Sequence, residues 1–188
     1  MPEAMASLTV RPAQDADLDE VVRIYVDSWN HGFRNLMPAI EADADRRERW
    51  AQDLAQPPPH RWWVAVRGTR IAGFAGICPS RDPVDPELGE LDTIAVDALA
   101  WRTGVGTMLM ATALSWLCAD GYRLALLWTL GAYPRGAAFY AATGWYLNGA
   151  TRQAGSRVRY DHDLTELGAA AVQQGLAADT SPGRSEVR

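Results

Sequence analysis

The chain has 188 residues, of which 48% are hydrophobic and 22% are charged, and its formal net charge is −5. These values are typical of a one-domain globular protein and exclude the disordered and fibrous classes. The negative charge disfavours a nucleic-acid partner, because an acidic protein is repelled by a phosphate backbone. No apolar run reaches the ~18 residues of a membrane span, and residues 1–7 lack the basic and apolar regions of a signal peptide. We therefore expect a cytoplasmic protein without a membrane partner.

The first part of the chain predicts a strand, two helices and a hairpin. Asp17 and Glu20 have the spacing of a capping box at the start of the first helix. Three prolines at 57–59 end the second helix, and Gly68 indicates a tight turn between two strands. The predicted elements are strand 8–12, helix 18–30, helix 40–54, strand 62–66 and strand 71–77.

The second part of the chain predicts the parallel part of the sheet, because strands and helices alternate there. The predicted elements are strand 88–96, helix 107–120, strand 124–130, a helix from Pro134 to about residue 144, and strands 145–148 and 158–164. We therefore expect a single α/β domain over residues 1–164 with a mixed sheet. Residues 165–188 are rich in Ala, Gly, Ser and Gln, which predicts a fraying helix or a flexible tail.

The two cysteines, Cys78 and Cys118, lie far apart, and neither belongs to a CxxC pair. A zinc site or a disulfide framework is therefore not expected, and both thiols are predicted to be reduced. We predict no metal site.

The most informative segment is 101–107, which joins strand 88–96 to an apolar helix. The first N–H groups of a helix have no partner inside it, and the helix dipole adds a partial positive charge there. Gly104 and Gly106 lack a Cβ, so a phosphate can approach the main chain closely. The segment therefore predicts a site for a phosphorylated cofactor.

Three alternatives compete with this interpretation, and the residues near the glycines bear on the first two. A dinucleotide site requires a third glycine, where this chain has Leu109, and an acid about 20 residues on, where it has Leu124. A P-loop requires a lysine, and none follows Gly106. The third alternative is a structural turn that binds nothing.

Three segments taken together resemble the GCN5-related N-acetyltransferases, the GNAT family. They are the strand at 90–96, the loop at 101–107 and the Phe-Tyr-x-x-x-Gly-aromatic segment within 133–145, and they match in order and spacing. The resemblance extends over roughly residues 8–164. It implies a mixed, mostly antiparallel sheet with a splayed pair of parallel strands and with helices on both faces. It also implies direct transfer of an acetyl group, within a ternary complex, to a primary amine of a small molecule or peptide.

The resemblance implies that acetyl-CoA is the cofactor. Its pantetheine arm is expected to lie between strands 90–96 and 124–130 and to complete the ladder, with main-chain bonds from Ala95 and Val96. The side chain of Ala95 is small and is expected to keep that wall open. The residues assigned to the cofactor are Ile94, Ala95, Val96, Trp101, Arg102, Thr103, Gly104, Val105, Gly106, Thr107, Tyr133 and Tyr140.

Two positions depart from the family pattern. Trp101 stands where the loop usually has arginine or glutamine, and Arg102 follows it. Tyr133 stands where the family often has an asparagine that contacts the pantetheine arm. These departures favour one rival hypothesis, a non-catalytic acyl-CoA-binding module of the same fold. A second rival is a structural or partner-binding protein without a cofactor.

The proposed chemistry requires a neutral amine and a protonated leaving group. Deprotonating a lysine-like amine with a pKa of ~10.4 at pH 7 costs about 4 to 5 kcal/mol, whereas an α-amine with a pKa of ~7.8 costs about 1 kcal/mol. Glu90 resembles the family's glutamate base, acting directly or through water, and Asp92 lies on the same strand face. The alternative is that Glu90 ends a solvent-exposed strand. Tyr140 resembles the tyrosine that donates a proton to the thiolate, and its alternative is a core aromatic beside Phe139.

The acceptor pocket is expected to be lined by Trp29, Phe33, Arg34 and Trp128, each with a core position as the alternative. Homodimerisation is expected from the habit of the family.

Overall fold

The computed structural model describes residues 7–81 and 83–165. The predicted tail at 165–188 therefore lies, apart from its first residue, outside the described residues. The elements are β1 (Leu8–Pro12), α1 (Leu18–Gly32), α2 (Ala44–Leu54), β2 (Arg61–Arg67), β3 (Arg70–Pro79), β4 (Leu88–Val96), α3 (Val105–Ala119), β5 (Leu124–Leu130), α4 (Pro134–Ala142), β6 (Tyr146–Arg152) and β7 (Arg157–Asp163). Their order confirms the order predicted from the sequence.

The strands form one seven-stranded sheet in the order β1-β2-β3-β4-β5-β7-β6. Every neighbouring pair is antiparallel except β4 and β5. The parallel ladder extends only from the pair Leu88–Leu124 to the pair Glu90–Leu126, and beyond it the two strands part. The predicted mixed sheet with a splayed parallel pair is therefore confirmed.

Helices cover both faces of the sheet and divide the core into layers. On one face, α3 and α4 pack over Leu91, Leu127 and Tyr160. On the other face, α1 and α2 pack over β2 and β3, where Trp50 meets Phe74 edge to face at a centroid distance of 5.1 Å. Because side chains alternate along a strand, these layers fix which face each site residue occupies.

The α1 helix begins at Leu18 as predicted, but the predicted capping box is wrong. The Asp17 carboxylate does not cap α1 with Glu20; it accepts two hydrogen bonds from the Arg11 guanidinium, at 2.7 and 2.8 Å, and one from the Gln14 N–H at 2.9 Å. The Arg11 hydrogen bonds hold the pKa of Asp17 below its ordinary value. A short 3-10 turn, Asp15–Asp17, therefore precedes α1.

The predicted start of α2 at residue 40 is also wrong. The Asn30 side chain accepts a hydrogen bond from the Ile40 N–H and donates one to its carbonyl, both at 2.9 Å. These bonds take the groups that a helix would use, so the helix begins later, at Ala44, where the Asp43 carboxylate accepts from the Arg46 N–H at 2.8 Å.

Other boundaries differ by a few residues. α3 begins two residues early, at Val105, and β6 extends to Arg152 through an irregularity between Leu147 and Thr151. Among the described residues, no helix has the length and apolar character needed to cross a bilayer, and no cluster of three or more His, Cys, Asp or Glu side chains is suited to a metal ion. Both cysteines are free thiols, and burial raises the pKa of Cys78 to about 12.

Candidate active site

A groove of about 830 Å³ opens where β4 and β5 part. Its walls come from four parts of the chain: the end of β4, the loop before α3 with the first turn of that helix, α4, and Ser28 of α1. The lining residues include Ile94, Val96, Trp101, Arg102, Gly104, Gly106, Thr107, Tyr133 and Tyr140. The structure thus brings together most of the residues that the sequence assigns to a cofactor.

Unpaired main-chain N–H groups follow one another at the end of this groove formed by the loop before α3. Within the described part of the chain, no atom accepts a hydrogen bond from the N–H groups of residues 102–107. Gly104 has a φ of +88°, and a Cβ built there would meet nothing within 4 Å. The turn is therefore open, as an anion site requires, and no side chain of the described residues fills it at Gly104.

Two contacts hold the loop in this shape. The Arg67 guanidinium donates to the Thr103 carbonyl at 2.9 Å, and the Thr103 hydroxyl donates to the Ala100 carbonyl at 2.7 Å.

At Gly106, a Cβ would lie 3.3 Å from the Phe139 ring, so the glycine allows α3 to pack closely on α4. Val105 is fully buried against β-sheet side chains, and Thr103 does not line the groove. These two predicted residues can therefore contribute only main-chain groups.

The register of β4 decides which main-chain groups face the gap. The Asp97 N–H donates to the Ala72 carbonyl at 2.9 Å, and hydrogen-bonded pairs alternate in an antiparallel ladder. The next bonded pair is then Phe74 with Ala95, so the peptide groups of Ala95 face β3. Its side chain packs in the layer under α1. The predicted main-chain and wall roles of Ala95 are therefore wrong, and the open peptide groups belong to Ile94 and Val96.

Val96 has fewer free main-chain groups for a ligand than the sequence predicts, because its carbonyl already accepts a hydrogen bond. The Trp101 indole N–H donates to the Val96 carbonyl at 2.9 Å. The N–H of Val96 and both peptide groups of Ile94 still face the gap. The tryptophan that replaces the family's arginine or glutamine thus anchors the loop to β4.

Tyr140 lies in the groove beside β5. Its ring packs against Phe139 at a centroid distance of 5.7 Å and against Tyr160 at 5.4 Å, and Thr129 lies within hydrogen-bonding reach of its hydroxyl. Burial raises the pKa of this phenol above its ordinary value, and the Thr129 contact opposes the shift only in part. Tyr140 is therefore a protonated hydrogen-bond donor at neutral pH.

Glu90 lies at the last paired position before β4 and β5 part, and it is only 5% exposed. The hypothesis of a solvent-exposed strand end is therefore wrong. Its carboxylate accepts from Arg81 three times: from Nη2 at 2.8 Å, from the main-chain N–H at 3.2 Å and from Nε at 3.4 Å. The same Nη2 lies 2.5 Å from Asp92. Arg81, which sequence reasoning missed in a surface loop, bridges the two base candidates.

The predicted acceptor residues fall into two groups. Phe33, which follows α1, packs on the groove residue Tyr133 at a centroid distance of 4.7 Å, and Trp29 of α1 packs behind it on Phe33 at 4.8 Å. Neither Phe33 nor Trp29 lines the groove itself. Trp128 follows Leu127, which packs under α3, so Trp128 lies on the opposite face with Glu90. The Arg152 guanidinium stacks on its ring at 3.7 Å. Arg34 is exposed and makes none of these contacts.

Sequence reasoning missed groove residues of two kinds. Three of them are Pro134, Arg135 and Gly136, which form the first turn of α4. They lie between Tyr133 and Tyr140, in the segment that carries the resemblance, so their position in the sequence could have indicated them. Ser28 comes from α1, and no motif or spacing in the sequence connects it with the loop.

Comparison with known proteins agrees with this geometry. The model of the acetyltransferase (GNAT) family matches residues 18–145. The uncharacterized N-acetyltransferase YuaI of Bacillus subtilis is 25% identical over 129 residues, which are 68% of this chain and 74% of that protein. The PaiA N-acetyltransferase of Thermoplasma acidophilum, solved with coenzyme A, superposes with a TM-score of 0.72 and 14% identity over 84% of this chain and 99% of its own. YncA of Salmonella typhimurium, a putative acetyltransferase solved with acetyl-CoA, superposes with a TM-score of 0.65 and 16% identity. The match covers 85% of this chain and 95% of YncA.

The open N–H groups predict that a bare diphosphate stabilises the protein, and Thr107→Glu tests where it binds. Thr107 is exposed in the first turn of α3 and lines the groove. A glutamate there suits the helix dipole but places a negative charge in the anion site. Millimolar inorganic diphosphate should raise the melting temperature of the wild type and leave that of Thr107→Glu unchanged.

Ser115→Glu is the matched control, because Ser115 is exposed on the same helix and lies outside the groove. This variant should keep the full diphosphate shift. An equal shift in both variants would contradict the assignment of the anion site.

Proposed function

Because the chain belongs to the acetyltransferase (GNAT) family, we propose that it is an acetyl-CoA-dependent N-acetyltransferase acting on a primary amine of a small molecule or peptide. The observation that carries the proposal is the continuity of one groove, which contains the open N–H end of the loop at 102–107, Ile94 and Val96 of β4 beyond the last parallel pair, and Tyr140 of α4. A groove of this form suits a long ligand with a diphosphate at one end and a thioester at the other.

Binding follows from groups that otherwise lack partners. Buried peptide groups without hydrogen bonds are unfavourable, and the open groups of Ile94 and Val96 face the gap. An amide-bearing pantetheine arm supplies matching donors and acceptors in the manner of an added strand. The diphosphate then receives the N–H groups of 102–107, with Arg102 at the groove wall. The thioester is thereby directed towards Tyr140.

The reaction is a direct transfer in a ternary complex. The amine nitrogen attacks the thioester carbonyl carbon, the carbon–sulfur bond breaks, and the sulfur leaves as a thiolate. The proton that the nitrogen loses passes to the base or to water, and the thiolate takes up a proton from solvent. Tyr140 donates a hydrogen bond that strengthens as the sulfur gains charge. Full proton transfer from Tyr140 is uphill, because the pKa of an ordinary phenol, ~10, already exceeds the ~8.5 of a simple thiol, and burial raises the pKa of Tyr140 further.

Glu90 is the proposed base, directly or through water, with Asp92 second. Arg81 donates hydrogen bonds to both carboxylates, so an amine that approaches Glu90 or Asp92 shares their oxygen atoms with this guanidinium. An amine that is nearly neutral at pH 7 needs little assistance, at about 1 kcal/mol for an α-amine. Trp29, Phe33 and Trp128 are the proposed acceptor walls. The homodimer stays a prediction.

An acceptor panel tests the function directly. Purified protein is supplied with acetyl-CoA and with amino acids, peptides, polyamines and aminoglycosides, and free thiol and acetylated amine are both measured. At least one primary amine should be acetylated with one thiol released per amide formed. Binding of acetyl-CoA without transfer to any amine would instead favour the non-catalytic acyl-CoA-binding hypothesis.

Tyr140→Phe removes the proposed donor and keeps the ring. We expect kcat to fall about tenfold to a hundredfold, the size of one lost hydrogen bond to a developing charge, while the Kd for acetyl-CoA stays within about twofold. Tyr146→Phe is the control, because Tyr146 is 50% exposed on β6. An unchanged kcat in Tyr140→Phe would show that this phenol is a core aromatic and nothing more.

Glu90→Gln separates a base from a structural partner of Arg81. The loss in kcat/KM should be at least about tenfold greater for a lysine-like amine than for an α-amine, because only the first needs strong assistance. Glu87→Gln is the control, because it makes the same substitution at an exposed residue directly before β4. Equal losses for both amines would exclude Glu90 as the base.

A further inference from the structure

Trp101 and Arg135 form a stacked pair at the wall of the groove. The carbon of the Arg135 guanidinium lies 3.7 Å from the centre of the Trp101 ring, and both residues line the groove. The ring itself is held in place, because its N–H donates to the Val96 carbonyl at 2.9 Å and its other neighbour is the His31 ring at 6.3 Å. A fixed aromatic surface thus supports a positive charge beside the open N–H groups of 102–107.

Apart from its stack on Trp101, the Arg135 side chain has little around it that stabilises its charge. It is exposed in the first turn of α4, directly after Pro134, where the helix dipole disfavours a cation. Among the described residues, no carboxylate forms an ion pair with it, and no atom accepts a hydrogen bond from it. Stacking uses only the flat face of a guanidinium and leaves the N–H groups at its edge free to bind oxygen atoms.

We propose that Arg135, held flat by Trp101, binds the diphosphate of the cofactor from α4, together with the N–H groups of 102–107. Arg135 is then a binding residue, and Trp101 is a positioning residue that acts through it. The positive charge that the loop lacks at position 101 is supplied from α4 instead. This inference rests on the proposed function only in that the ligand is a CoA thioester.

Arg102 provides a contrast within the same groove. It also lines the wall, but its backbone is left-handed, with φ +62°, and no ring or carboxylate of the described residues supports its side chain. An unsupported side chain loses more rotamer entropy on binding. Arg135 is therefore expected to contribute more to affinity than Arg102.

A double-mutant cycle on CoA binding, measured by calorimetry on the full chain, tests the proposal. Arg135→Gln should raise the Kd of CoA about tenfold or more, the loss of one charge-assisted contact. Trp101→Leu should raise it by a similar factor, and the double variant should be no weaker than about twice the poorer single variant, because each removes the same contact. Trp101→Phe keeps the flat ring without the indole N–H and should retain most of the affinity.

Four further measurements make the outcome specific. Arg70→Gln, an exposed arginine at the hairpin turn, should leave the Kd unchanged. Without ligand, Arg135→Gln should melt near the wild-type temperature, whereas the two Trp101 variants, which both lose the bond to the Val96 carbonyl, should melt at temperatures similar to each other. For Arg135→Gln, the KM for acetyl-CoA should rise more than kcat falls. With dephospho-CoA, which keeps the diphosphate and lacks the 3′-phosphate, Arg135→Gln should show the same fold-loss.

Four results would overturn the proposal: a Kd within about twofold of wild type for Arg135→Gln, multiplicative losses in the double variant, equal losses for Trp101→Phe and Trp101→Leu, or a loss that disappears with dephospho-CoA. The last result assigns the charge to the 3′-phosphate. If wild-type protein binds no CoA, the proposed function fails together with this inference. Tight binding without acetyl transfer overturns only the function, and the cycle still decides the role of Arg135.

Discussion

The short parallel ladder between β4 and β5 is the constraint on which the other features depend. The ladder ends at Glu90 and Leu126, and from there the strands expose peptide groups that a continuous sheet would pair. Such groups are unfavourable in a buried setting unless water or a ligand satisfies them. The same parting brings the first turn of α3 and the body of α4 to one groove. Cofactor site and reaction centre thus follow from a single break in the sheet.

The anion proposed to bind at this break would be held by local geometry against an unfavourable overall charge. The chain carries a net charge of −5, so long-range attraction does not bring a polyanion to it. Open N–H groups and an arginine stacked on an aromatic ring act only at short distance, and both are fixed before the ligand arrives. Preorganised donors of this kind lose little freedom on binding. Binding should therefore depend less on salt than it would on a basic surface.

The sequence predicts those features that depend on local pattern. The order of the elements along the chain, the open turn at Gly104 and the place of Tyr140 come from periodicity and from the three segments that match the family in order and spacing. It does not predict contacts between distant segments: Arg81 folding onto Glu90, or Arg135 stacking on Trp101. Nor does the sequence predict which peptide groups of β4 bond to β3 and which face the gap. That choice depends on where hydrogen bonding between the two strands begins, and here it turns the peptide groups of Ala95 towards β3.

Both proton-transfer groups of the proposed site are restrained, and this restraint bears on the choice of acceptor. Burial keeps the Tyr140 phenol protonated, so it stabilises the thiolate through a hydrogen bond. Arg81 donates hydrogen bonds to both oxygen atoms of Glu90, so an incoming amine has to share them with this guanidinium. A reaction with little help from either group proceeds best when the amine is already neutral. The pKa of the acceptor amine then contributes to specificity alongside the shape of the pocket, because each pKa unit above the working pH changes the reactive fraction tenfold.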